Sequence, residues 1–204
     1  MKKIIMNRFF LSAIILIFTI NISYSVTYNS EPKIFITELV QDAMKTLSDK
    51  SISLEDKRKI IEKIALENVD INAIGKYTLG DFRKTLDDSN SRKYDDLFEK
   101  YFLKSLTSRL TDYSNNKFEI ISAEQKSSKY TIVKSKISES SSQPEIQIDW
   151  RVYTKDPLKP LIRDLVVEGL SLARTQKEEF SSILSTNNND VNFLFARLEK
   201  FIAN

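Results

Sequence analysis

Between positions 30 and 110 apolar residues recur at three- and four-residue steps, the spacing that gathers side chains on one side of an α-helix. Ser30, with Pro32 in the first turn, opens a helix in which Phe35, Leu39, Ala43 and Leu47 form one row, with Ile36, Val40 and Met44 beside it. Two adjacent rows make an unusually wide apolar face. Ser53 and Asp56 have the spacing of a capping box ahead of Ile60, Ile61, Ile64 and Ala65. Asp70 caps a third, short helix that runs through Ile74 to Gly80. Ser91 begins the longest helix, where Tyr94, Leu97, Phe98, Tyr101, Phe102, Leu106 and Leu110 make an aromatic-rich stripe.

Beyond Asn115 and Asn116 the period falls to two. Phe118 to Ala123, Tyr130 to Ile137 and Glu145 to Tyr153 read as strands of an antiparallel meander. In the third, Ile146, Ile148, Trp150 and Val152 share one face, and Gln147, Asp149, Arg151 and Tyr153 share the other. A proline-bearing loop over Lys155 to Pro160 leads to a fourth strand, Leu161 to Glu168, which ends at Gly169. There Arg163 is expected to pair with Asp149 across the strands. Helices over Arg174 to Leu184 and Asp190 to Ile202 close the chain. The order predicts an α+β fold: a helical N-terminal half, a four-stranded antiparallel sheet with helices packed on one face around an apolar cavity, and two closing helices. Whether side chains or a ligand fill that cone decides the function.

The first 25 residues change how the charge is read. Lys2, Lys3 and Arg8 precede an apolar run from Phe9 to Ile22, and Ser23-Tyr24-Ser25 supplies small residues where a signal peptidase cuts. A secretory signal peptide cleaved near Ser25 is expected, leaving residues 26–204 as one domain in the periplasm. The whole chain of 204 residues carries 31 basic and 28 acidic residues; loss of three basic residues leaves 28 of each. A neutral surface offers no patch for nucleic acid, so none is expected as a partner.

With no cysteine and no histidine, disulfides, thiolate nucleophiles and His-based triads are excluded. Gly75, Gly80 and Gly169 never reach the spacing of a phosphate-cradling loop. Asp87-Asp88 and Asp95-Asp96 lack the layout of a calcium loop, so neither a metal nor a cofactor is expected. Asp149, Asp164 and Glu168 lie on or beside strands, where an acid aimed into an apolar cavity serves as a general base. No catalytic residue is assigned.

Leu79-Gly80-Asp81-Phe82-Arg83, the following helix with Phe98, Phe102 and Leu106, and Asp164-Leu165-Val166-Val167-Glu168-Gly169-Leu170-Ser171-Leu172 with Phe180 downstream together resemble the MlaC-like, toluene-tolerance family of periplasmic phospholipid-binding proteins. The resemblance covers nearly all of the chain beyond the signal peptide. It departs from the family's usual Tyr-Arg ahead of Phe180, where Gln176-Lys177 stands. It implies a phospholipid carrier working between an outer-membrane lipoprotein complex and an inner-membrane ABC transporter, maintaining outer-membrane lipid asymmetry.

Two acyl chains carry about 30 methylene groups, whose exposure to water costs on the order of 25 kcal/mol. A carrier therefore needs an apolar lining with little chemical specificity. The expected lining is Ile34 or Leu39 with Val40 from the first helix, Ile74 and Phe82 from the next helices, and Phe98, Phe102 and Leu106 from the long one. The sheet adds Ile148, Trp150, Val152, Val166, Leu170 and Leu172, while Arg83, Arg151 or Lys177 meets the phosphate. Two other readings fit the same residues. One is a periplasmic enzyme on a cone-shaped, nuclear-transport-factor-like scaffold using a buried acid such as Asp164; the other is a protein-binding adaptor with a filled core.

Overall fold

The structure, a computed structural model, describes residues 27–110, 117–138 and 145–204. The expected signal peptide lies outside the described residues. Helices α1 (Pro32–Ser48), α2 (Leu54–Asn68) and α3 (Ile71–Thr78) lead through a short 3-10 helix, Gly80–Lys84, to the long α4 (Asp88–Leu110). Strands β1 (Lys117–Ser127), β2 (Tyr130–Ser138), β3 (Ile146–Tyr153), β4 (Leu161–Val167) and β5 (Leu170–Ser171) follow, and α5 (Leu172–Thr186) and α6 (Val191–Ala203) close the chain. The sheet is antiparallel in the order β1-β2-β3-β4-β5.

Local chemistry sets the helix starts. Glu31, rather than the expected Ser30, caps α1: its carboxylate accepts from the amides of Lys33 and Ile34, and Pro32 lies just inside the helix. Ser53 accepts from the amide of Asp56 at 3.1 Å and donates its hydroxyl to that residue's carboxylate at 2.6 Å. Asp70 caps α3 through the amide of Ala73. The long helix starts at Asp88, ahead of the expected Ser91, because Asp87 takes the amide of Asn90 and so satisfies the first turn.

A fifth strand corrects the expected four. Glu168 and Gly169 both have positive φ, 48° and 80°, which makes the two-residue turn that folds Leu170 back against Val167. Glycine meets the second requirement without a Cβ penalty. A bulge in β4 matters more. Val152 pairs with Ile162 but Arg151 pairs with Asp164, so Arg163 is the extra residue. From there onward the parity of β4 is reversed. Leu165 and Val167 share the face of Trp150 and Ile148, and Val166 faces the opposite way with Asp149, correcting its expected place on the apolar face. The expected Asp149–Arg163 pair is likewise absent among the described residues. Arg163 instead bonds Asp70 at 2.7 Å and stacks on Tyr153 at 3.4 Å, tying the start of α3 to the sheet.

Buried apolar side chains fall into two clusters. One joins Phe35, Ile36, Leu39 and Val40 of α1 to Val133, Val152 and Ile162 of the sheet. The other lies among the helices and includes Ile74, Leu79, Tyr94, Leu97, Phe98, Phe180, Leu194 and Leu198. Val69, bridged to Ile162, packs partly against both. A domain this size ordinarily has one contiguous core.

Helices α3 and α4 meet closely at Gly75, where a Cβ would lie 2.8 Å from the Phe98 ring. That ring is buried and stacked on Tyr94, so displacing it disturbs the packing of the helical cluster. Gly75→Ala should cost about 3 kcal/mol in overpacking, offset by about 1 kcal/mol of helix propensity. Thermal melting is expected to fall by roughly 4–8 °C for this size of domain. An unchanged melting temperature would mean that the two helices are free to separate.

Candidate functional site

Cross-strand register defines one continuous apolar face. Facing α1 are Phe118 and Ile120 of β1, Val133, Ser135 and Ile137 of β2, and Ile146, Ile148, Trp150 and Val152 of β3. Ile162, Leu165 and Val167 of β4 complete it. At one end α1 closes it completely, leaving Val133 and Val152 at 0% exposure. Toward the other end Phe118, Ile137, Ile146, Ile148 and Val167 stay half-buried. Apolar area left uncovered beside a packed core is an unspent driving force for binding.

At the half-open end the polar side-chain groups of Ser135 and Trp150 are bonded to one another. Ser135, 1% exposed, donates its hydroxyl to the Ile148 carbonyl at 3.1 Å and accepts the Trp150 indole N–H at 2.8 Å. The indole is thereby tied to β2, with the Phe118 ring edge-on to it at 6.3 Å. An apolar ligand meets no orphaned donor there.

The sequence-expected lining divides between the two clusters. Leu39, Val40 and Val152 sit in the closed end of the sheet face and pack against one another, which makes them core rather than exposed wall. Ile74 and Phe98 belong to the helical cluster, with Phe82 and Phe102 packed on it, and the Phe98 and Phe180 rings meet edge to face at 6.3 Å. Leu106 is half-buried on α4. Ile148 and Trp150 lie on the half-open sheet face. Leu170 and Leu172 are 59% and 47% exposed, and Ile34 is exposed on α1. Pattern reading missed Leu165 and Val167. The signal was the neighbouring charges Arg163 and Asp164, since strict alternation would have put one of them on the apolar face.

Arg83 and Lys177 converge on Gly80: Arg83 Nη1 donates to its carbonyl at 2.5 Å, and the Lys177 side chain lies against its backbone and over the Tyr77 ring. Asp81 beside them is held below the usual carboxylate range, chiefly by its bond to Lys84, with Arg83 and Lys177 adding to the field. Gln176 accepts the Tyr101 hydroxyl at 2.7 Å. Arg151 is elsewhere, bonded to Asp164 at 3.0 Å.

Asp164, the acid singled out as a general base, is engaged by its neighbours. Buried to 8% exposure, it accepts the Ser171 hydroxyl at 2.6 Å, the Ala173 amide at 3.0 Å and the Arg151 guanidinium. Ser171 in turn caps α5 through the amide of Arg174. The Asp, Glu-Gly and Ser of this segment thus form one lock joining β3, β4, β5 and the start of α5. Separately, a cleft of about 250 Å³ between α3 and α4 is rimmed by Asp95, Asp96 and Glu99. Its carboxylates disfavour a phosphate there.

Comparison with known proteins places this geometry. No match is found among curated proteins. Among solved structures, the phospholipid-binding protein from Ralstonia solanacearum, determined in complex with a phospholipid, superposes with a TM-score of 0.70 at 18% identity, over 82% of this chain and 94% of that one. The family described as MlaC protein matches residues 37–200, a span that takes in α1 from Thr37 onward, the Gly75 contact, the bulged sheet and the Asp164 lock. The chain therefore belongs to the MlaC protein family.

Proposed function

We propose that this protein is a periplasmic phospholipid carrier, exported by a signal peptide cleaved near Ser25, which lays acyl chains on the half-open sheet face. It shuttles them between an outer-membrane lipoprotein complex and an inner-membrane ABC transporter, maintaining outer-membrane lipid asymmetry. The observation that carries this reading is the apolar face running out from beneath α1, with its hydroxyl and indole already bonded to each other. Membership of the MlaC family and the lipid in the Ralstonia solanacearum neighbour support it. The same chemistry supports a role in binding and transport rather than catalysis: the face presents hydrocarbon, and the buried Asp164, on the far face of the sheet, is engaged in holding β3, β4, β5 and α5 together.

The test is to purify residues 26–204 without detergent from a lipid-replete periplasm and to record a native mass spectrum with phosphate analysis. Near one diacyl phospholipid per chain, mixed in head group, is expected. A phosphate-free protein would overturn the proposal; a small bound metabolite would favour the enzyme reading.

A further inference from the structure

One residue from each of the five strands falls in a single row across the apolar face. Ile120 pairs with Ser135, Ser135 with Ile148, Ile148 with Val167, and Val167 with Leu170. Directly opposed residues of antiparallel strands share a face, so all five side chains lie on the α1 side. Five strands at about 4.8 Å spacing give a row of roughly 19 Å. The hydrocarbon of one bilayer leaflet, half of about 30 Å, is about 15 Å deep. The row is long enough to hold one acyl chain stretched across the strands.

Its two ends differ. Ile120 is half-buried and packs against the α1 cluster, whereas Leu170 is 59% exposed on the two-residue edge strand, with Leu172 47% exposed just beyond. The Asp164 lock holds this edge: Ser171 turns to the opposite face and bonds the carboxylate, so its neighbour Leu170 is pointed outward over the row. At the second position Ser135 is 1% exposed and its hydroxyl is bonded on both sides, so a chain lying over the row meets no free polar group there.

We propose that the β5 edge, Leu170 with Leu172, is the loading edge, over which an acyl chain slides onto the Ile120–Ser135–Ile148–Val167–Leu170 row. This rests on the phospholipid-carrier reading given above. An exposed leucine at the rim offers apolar contact to the first methylenes as they leave a bilayer, before the rest of the chain is covered. A charge there must be desolvated at the same step.

The experiment follows uptake of lipid by delipidated residues 26–204 from phosphatidylglycerol vesicles, comparing wild type, Leu170→Asp, Leu172→Asp and Leu158→Asp. Leu158, 85% exposed in the β3–β4 loop, is the control. Loading at least tenfold slower for Leu170→Asp, a smaller slowing for Leu172→Asp, wild-type rates for Leu158→Asp and unchanged melting throughout are expected. Because the chain has no cysteine, a single Leu170→Cys bearing an environment-sensitive fluorophore gives a second readout. Its emission should shift to the blue on loading, and that of Leu158→Cys should not. Normal loading by Leu170→Asp, or an unshifted Leu170→Cys probe on a loaded protein, would overturn the loading edge while leaving the carrier intact. Failure of the wild type to take up lipid would overturn the carrier reading itself.

Discussion

Val152→Glu is expected to unfold the protein, whereas Ile148→Glu, on the same face of the same strand, should leave it folded and empty of lipid. Val152 is fully buried between Thr131 and Ile162 and beneath α1, so a carboxylate there has neither water nor a cation to meet. Leaving an unpaired charge in such a place costs about 4 kcal/mol or more. Against a total stability of roughly 5–15 kcal/mol, that lowers melting by about 8–16 °C or removes the transition. Ile148 is half-buried, and a glutamate there reaches water with a cost of about 1 kcal/mol, while placing its charge where acyl methylenes are proposed to lie. Melting followed by circular dichroism, paired with bound phosphate per chain, separates the two. A cooperative, wild-type transition for Val152→Glu would mean that α1 does not close that end. Full phosphate in Ile148→Glu would remove the sheet face from the site.

The second large effect falls on Asp164. Asp164→Ala withdraws the acceptor from the buried Ala173 amide and the Ser171 hydroxyl and releases Arg151, so β5 and the start of α5 lose their tie to β3 and β4. A buried carboxylate with three such bonds is worth about 3–5 kcal/mol to remove. Asp164→Asn keeps the shape and one acceptor oxygen, and should cost about half as much. Hydrogen exchange at Leu170 to Ala173 should accelerate in both, most in Asp164→Ala, because the turn at Glu168 and Gly169 is held closed through Ser171. If Asp164→Ala melts with the wild type, the carboxylate has no structural duty and its role as a catalytic base has to be reconsidered.

The helices were legible because each follows from a local period and a local cap. The rows of α1, the Ser53 and Asp70 caps and the stripe of α4 depend on residues a few positions apart, and the structure reproduces them with shifts of a few residues at the starts. The alternation of β3 was legible for the same reason, and it put Ile148, Trp150 and Val152 on one face as found. What failed were inferences that cross between elements. Val166 was assigned by continuing a period through Arg163, but the bulge is set by partners outside β4: Asp70 draws Arg163 out, and Arg151, Ser171 and Ala173 hold Asp164 on the far face. The fifth strand is only two residues long, too short for a period to show, and exists because of the turn before it and the lock beneath it.

Membership of the family was likewise readable in the sequence, because the Asp164 to Leu172 segment packs several geometric requirements into nine residues: a buried acceptor, a turn with two positive φ values and a helix cap. The site was readable only as a set of apolar residues. Hydrophobicity alone draws Val152, Ile74 and Ile148 inward alike, since burial lowers the free energy of each whatever it touches. Which of them packs under α1, which joins the helical cluster and which stays half-open on the sheet depends on how far α1 reaches across the face and where the bulge reverses β4. Those are properties of the assembled layers, because the cover over a side chain comes from residues tens to more than a hundred positions away.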